Sequence, residues 1–173
     1  VLSSVTIEHP TIEALFTIDE ETGMTGAMGL KGGLLSGEIL LNLDTEEDDE
    51  IDMGCAGGID VTANRNYQEE TTPTDKLAFK IAIRGLQGGH SGMDIHKEFG
   101  NANKIMNRLL YHGTESVGLR ISTIDGGSLR NAIPRESFST ILINATEKDR
   151  FLLKMKDLIG LIKEEFNTKE PNL

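Results

Sequence analysis

From Leu77 onward the apolar residues keep changing period, and the order of those changes limits the fold. Leu77, Phe79, Ile81 and Ile83 alternate as on a half-buried strand. A glycine-rich stretch follows over 85–92, and then Ile105, Met106, Leu109 and Leu110 recur at helical spacing within 98–111. Residues 117–124 and 137–145 are strand-like again, with Gly126-Gly127 and Pro134 in the connection. Thr146 opens a further helix, with Asp149 three residues on as a variant capping box. Its buried stripe is expected to be Phe151, Leu152, Met155, Leu158, Ile159, Ile162 and Phe166. The succession β-α-β-β-α is the split βαβ, ferredoxin-like order without its last strand.

The residues before this block read differently. Ile12, Ala14, Phe16 and Ile18 alternate and predict a strand over 11–19, and further strands are predicted over 38–43 and 57–66. Glycines at 23, 26, 29 and 32 keep a period of three. A run this short without proline cannot make a collagen helix. A glycine-tolerant helix with Met24, Ala27, Met28 and Leu30 as its apolar positions is the better expectation, ended by Gly32-Gly33. This part is expected to be a piece of an α/β sheet. Thr71-Thr72-Pro73-Thr74 is a linker-like stretch, so the boundary is drawn there, with one domain over 1–71 and another over 72–173.

Charge narrows the function. The chain of 173 residues carries 28 acidic and 17 basic residues, for a net charge of −11. Seven of the acids fall between Asp44 and Asp52. A phosphate backbone would be repelled and no basic stripe offsets this, which argues against nucleic acid as a partner. No apolar run approaches the roughly 20 residues of a membrane-spanning helix. The single Cys55 excludes an internal disulfide and a cysteine-rich zinc cluster. These features predict a cytoplasmic protein without a membrane partner. The chain opens on Val-Leu-Ser-Ser and stops at Pro171-Asn172-Leu173 just after a helical pattern, and it is expected to be an internal fragment of something longer.

Three places carry chemistry. Glu20-Glu21 follows a predicted strand, where open α/β sheets place ligands, and Asp44 closes another predicted strand. Adjacent side chains diverge, so one glutamate could hold a metal while its neighbour reaches a bound water. Hard oxygen donors with histidine suit Zn²⁺ or Mn²⁺; a pair of solvated turn carboxylates is the alternative. The acidic run itself is no EF-hand, because the sixth and twelfth positions counted from Asp44 are Asp49 and Cys55. It reads as a solvated turn. His90 stands in Gly88-Gly89-His90-Ser91-Gly92, where glycine lets the backbone approach a ligand and a loop histidine can project. His112, near the expected helix end, has a plain dipole or capping role. Leu129-Arg130-Asn131-Ala132-Ile133-Pro134-Arg135 sets guanidiniums and an amide in a proline-constrained segment, suited to carboxylate binding or simply exposed. No Walker-type phosphate loop and no nucleophile elbow occurs.

Together these segments resemble the aminoacyl-histidine (Xaa-His) dipeptidases, a branch of the two-zinc exopeptidases that also contains carnosinases and tripeptidases. The matching segments are Thr17-Ile18-Asp19-Glu20-Glu21-Thr22-Gly23-Met24-Thr25-Gly26-Ala27, Leu43-Asp44-Thr45-Glu46-Glu47 and Met53-Gly54-Cys55-Ala56-Gly57-Gly58-Ile59-Asp60. The glycine-flanked His90, Gly100-Asn101-Ala102-Asn103-Lys104 and Leu129-Arg130-Asn131-Ala132-Ile133-Pro134-Arg135-Glu136 match as well. The resemblance implies an α/β fold: part of a zinc-exopeptidase catalytic domain, then a partial ferredoxin-like (βαββα) lid. It implies hydrolysis of Xaa-His dipeptides such as β-alanyl-histidine by a zinc-bridged hydroxide. Glu20 would be the general base. Glu21 and Asp44 would each bind one of two zinc ions, with manganese or cobalt as substitutes. His90, Asn131 and Arg135 would bind substrate. It also implies a homo-oligomer formed through the lid.

The pattern departs from the family in two places: no His-x-Asp occurs, and no histidine follows His112. Two carboxylates fall short of the about four ligands each zinc expects, so the fragment alone is expected to be inactive. The competing readings are a non-catalytic ferredoxin-like dimerisation module and a related two-zinc tripeptidase or amide deacylase.

Overall fold

The computed structural model describes residues 3–44, 49–54 and 57–173. Thr45, Glu46, Glu47, Cys55 and Ala56, parts of the motifs above, lie outside the described residues. The chain divides into two compact units, Val1–Asn64 and Arg65–Leu173.

The second unit holds the regular structure: β1 (Lys76–Ile83), α2 (Ala102–Val117), β2 (Arg120–Gly126), β3 (Ser137–Asn144) and α3 (Lys148–Phe166), following a one-turn α1 (Thr25–Met28) in the first unit. This is the expected β-α-β-β-α order. The sheet is antiparallel with strand order β1-β3-β2, so β3 is paired on both sides. Its residues alternate between buried and half-buried, with Ser137, Ser139, Ile141 and Ile143 under the helices. Ile141 and Ile143 are fully buried, and each such side chain contributes about 1.5–3 kcal/mol. The two buried hydroxyls are satisfied locally: Ser137 Oγ donates to the Asp125 carbonyl and Ser139 Oγ to that of Thr123. β1 and β2 are the two edges, and β2, exposed along most of its length, carries a bulge between Ile121 and Thr123.

Helix α2 begins where its sequence says. Asn101 is the N-cap, its side chain accepting from the Lys104 N–H at 3.1 Å. Buried along its inner face are Ala102, Ile105, Met106, Leu109, Leu110, Gly113 and Val117. It ends at Gly118, φ +63°, with the Leu119 N–H reaching back to the Gly113 carbonyl in a Schellman-type close. The helix therefore runs past the expected end at 111, and His112 lies well inside it, exposed, rather than at a terminus.

Two expectations for α3 need correction. Its start is a 3-10 turn, Ala145–Glu147, and no side chain caps it, so the Thr146 capping box is not formed. Phe151, Met155 and Ile162 are buried and Leu158 and Phe166 pack partly against the core, but Leu152 and Ile159 are exposed. They flank an open apolar groove with Phe79 and Ile81 of β1. β1 is an edge of this sheet, and among the described residues no further strand covers that flank of the helix. The Phe79 and Phe151 rings, 5.2 Å apart and tilted, close the inner side.

The first unit forms little of what its periodicity predicts. Residues 11–19, 38–43 and 57–66 are extended or irregular and form no ladder, and the glycine-rich helix shrinks to Thr25–Met28. A strand is held by a neighbouring strand's backbone hydrogen bonds, and among the described residues these segments pair with none. Glycine at every third position adds an entropic penalty that one turn of helix cannot offset.

Candidate active site

In the first unit the acidic pair sits on a turn organised by the residue before it. Asp19 adopts a left-handed φ of +64°, and its carbonyl accepts the Gly23 N–H at 3.1 Å. Its carboxylate accepts from Thr22 Oγ1 and, at 2.8 Å, from Thr25 Oγ1, tying the turn to the start of α1. Gly26 is required here: a Cβ would fall 2.6 Å from the Ile18 nitrogen. The result leaves Glu20 and Glu21 exposed on the turn, neither with a hydrogen-bond or ion-pair partner among the described residues.

Asp44 is exposed too, its N–H donating to Asn42 Oδ1 at 3.1 Å. Glu13 braces the same unit. Its carboxylate accepts the Ser36 and Gly37 N–H groups at 2.8 and 2.7 Å and the Ser36 hydroxyl at 3.0 Å. These bonds, the Ser36 amide first, hold its carboxyl below the ordinary glutamate value.

Glu21 and Asp44 fit a hard divalent cation by chemistry and fall short by number. Among the described residues no three His, Cys, Asp or Glu side chains are grouped to hold a metal, whereas zinc takes about four ligands.

In the second unit two loops are zipped together. His90 bridges to Ala132 in antiparallel fashion, the Ser91 N–H donates to the Asn131 carbonyl at 2.8 Å, and the Ile133 N–H donates to the Gly89 carbonyl at 2.8 Å. Gly88 and Gly89 take φ of +71° and +145°, and a Cβ on Gly88 would press within 3.3 Å of Arg135 Cβ. The glycines thus bring the His90 backbone against the 131–135 segment, and His90, Asn131 and Arg135 are each exposed. Asp94 accepts the His90 N–H at 2.7 Å and pairs with Lys97 at 2.7 Å. The Lys97 hydrogen bond, then that from His90, lower its carboxyl below the ordinary aspartate value. His90 Nδ1 accepts from the Gly92 and Met93 N–H groups, both at 3.1 Å, leaving the ring proton on Nε2.

Sequence reasoning missed Glu13, Asp19 and Asp94. Asp19 was one residue from the glutamate pair with Thr22 and Thr25 in reach, and Asp94 lay four residues after His90. Both had an Asx-type signal; Glu13, whose partners are 23 and 24 positions away, had none.

Residues 81–172 match the family model of the peptidase dimerisation domain. The chain belongs to that family. Its dimerisation domain thus covers most of the second unit, including the His90 and Asn131 loops. Over its full length the chain is 45% identical to the cytosol non-specific dipeptidase of Escherichia coli (strain K12), of which it covers 36%. The crystal structure of an aminoacylhistidine dipeptidase from Vibrio alginolyticus superposes with a TM-score of 0.71 at 43% identity, covering 98% of this chain and 35% of that one. The chain therefore spans about a third of the length of these relatives, and the likeness extends through the first unit as well as the dimerisation domain. Among the described residues no helix is long and apolar enough to cross a membrane.

Proposed function

We propose that the chain is part of a cytoplasmic two-zinc dipeptidase acting on Xaa-His dipeptides such as β-alanyl-histidine. The observation that carries the reading is the zipped pair of loops, which brings the His90 backbone against residues 131–133 and leaves the His90 imidazole, the Asn131 amide and the Arg135 guanidinium exposed. That is the set needed to grip a short peptide by its carbonyl and its terminal carboxylate. Similarity to two dipeptidases over the whole chain supports it.

In this reading His90 Nε2–H donates to the reacting carbonyl oxygen or the substrate carboxylate, Asn131 holds the peptide backbone, and Arg135 pairs with the terminal carboxylate. Glu20 takes a proton from the attacking water and passes it to the leaving amine, so the amide C–N bond breaks as the new C–O bond forms. Glu21 and Asp44 would each hold one zinc, with the remaining donors supplied from outside this chain. Bound zinc, or manganese or cobalt in its place, would polarise the carbonyl and make water nucleophilic at neutral pH. The exposed edge of β2, with Ile121 and Ile124 outward, and the family of the domain support a homo-oligomer formed through it.

The test is turnover of β-alanyl-histidine by the zinc-loaded full-length protein, with a panel of tripeptides and acylated amino acids alongside. Glu20→Gln should lower kcat by about 10²–10⁴-fold while the zinc content stays unchanged. Cleavage of tripeptides or acyl amides alone would move the assignment to a tripeptidase or deacylase. No hydrolysis of any substrate would leave a non-catalytic dimerisation module.

A further inference from the structure

Among the described residues Glu170 is the single buried charged side chain, 2% exposed. A carboxylate is taken out of water at a high cost unless donors meet it. Two backbone donors do so: Gln87 N–H reaches Oε2 at 2.8 Å and Gly100 N–H reaches Oε1 at 2.7 Å. Those two residues flank the segment 88–99, which carries His90.

The same C-terminal turn grips the segment twice more. Gln87 Nε2 donates to the Lys169 carbonyl at 2.5 Å, and Lys169 Nζ donates to the Lys97 carbonyl at 2.8 Å. The fit leaves no slack. A Cβ on Gly85 would fall 2.1 Å from the Asn172 carbonyl oxygen, and one on Gly100 would fall 3.2 Å from Glu170 Cγ. Within the segment the Gly92 and Met93 amides orient the His90 ring through Nδ1, and Asp94 accepts the His90 backbone N–H. The bonds to residues 131–133 hold the middle of the segment to one loop, and Glu170 holds its two ends to the C-terminal turn.

We propose that Glu170 is a positioning residue for His90, its carboxylate clamping the two ends of the His90 segment so that Nε2–H is presented at one point. The effect on catalysis rests on the dipeptidase reading above; the clamp itself does not.

The experiment uses the zinc-loaded full-length protein with Glu170→Gln and Glu170→Ala, each alone and combined with His90→Ala. Three quantities are measured: kcat/KM on β-alanyl-histidine, backbone amide exchange by mass spectrometry, and thermal midpoint. The Gln variant keeps one acceptor oxygen and guards against a failure of the Ala variant to fold. Kinetics are compared at a temperature well below every midpoint. Loss of the clamp should lower kcat/KM by about tenfold with His90 present, since small displacements of a catalytic contact are costly, and by less than about twofold in the His90→Ala background. Exchange should quicken at residues 90–94 as well as at Gln87 and Gly100. An equal loss in both backgrounds, or quickened exchange confined to Gln87 and Gly100, overturns the proposal. If the unmutated protein hydrolyses no dipeptide, the dipeptidase reading fails and exchange alone decides: faster exchange at 90–94 upholds the clamp, unchanged exchange there overturns it.

Discussion

A neutral imidazole can carry its proton on either nitrogen, and two backbone amides decide the matter for His90. With Nδ1 occupied as an acceptor for Gly92 and Met93, the ring offers a donor outward from Nε2. Asp94 completes the turn by accepting the His90 N–H. Its folded carboxyl titrates below the ordinary value of 3.8, because of Lys97 first and the His90 amide second. A depressed carboxyl pKa contributes stability that is fully present above the unfolded value and lost as pH falls through the folded one. Acidification below about pH 3.8 should therefore release the His90 N–H. An NMR titration of the His90 amide should show a step there that Asp94→Asn removes; a step that survives the substitution would detach it from Asp94. Residue chemistry of this kind was half legible in the sequence. Glycine on both sides of His90 announced a projecting histidine, and Glu20-Glu21 announced an exposed acidic turn. Glu170 had no local signal, because its partners lie 70 and 83 positions away and only the folded chain brings them together.

At the scale of elements, what reads from sequence is what a segment can settle with its own neighbours. The alternation of Leu77, Phe79, Ile81 and Ile83 and the helical spacing of Ile105, Met106, Leu109 and Leu110 both survive into β1 and α2, and all but the exposed Leu77 pack on the core, because β3 and the facing helices accept those faces. The strands expected over 11–19 and 57–66 from alternation, and over 38–43 as a short buried run, fail, since a strand is a property of a pair. Leu152 and Ile159 fail for the same reason one level up: helical period marks them as inward, and the edge position of β1 leaves that flank open. Part of the family motif proves to be architecture. In Gly100-Asn101-Ala102-Asn103-Lys104, Asn101 caps α2, the Ala102 N–H donates to the Pro134 carbonyl at 2.8 Å, and Asn103 donates to the Gly126 carbonyl at 3.3 Å. Replacing Asn101 with Ala removes the acceptor of the Lys104 N–H and should lower stability by about 1 kcal/mol. Denaturant unfolding followed by circular dichroism checks this; an unchanged midpoint would mean water or a neighbouring group replaces the cap.

For the whole molecule, the two units differ in kind as well as size. The second has a core of fourteen buried residues, from Ile83 to Ile162, in which α2 and α3 cover the sheet. The described residues of the first include no buried side chain, and Phe16, Leu41 and Ile59 are 90%, 77% and 89% exposed. Resistance to proteolysis follows local opening, and segments with few buried apolar contacts open at little cost. Thermolysin, which cuts on the amino side of large apolar residues, therefore meets ready sites at Phe16, Ile39, Leu40 and Ile59. In the second unit Leu153, Ile121 and Leu161 are exposed as well, but α3 and β2 hold their backbones in hydrogen-bonded ladders that must open before cleavage. Limited thermolysis of the isolated 173-residue chain should therefore cut within residues 3–64 first and leave a resistant product near 65–173, read by intact mass. First cuts within α2, α3 or β3 would refute this division of stability, and equal survival of both units would mean that the first gains order in solution beyond its own contacts.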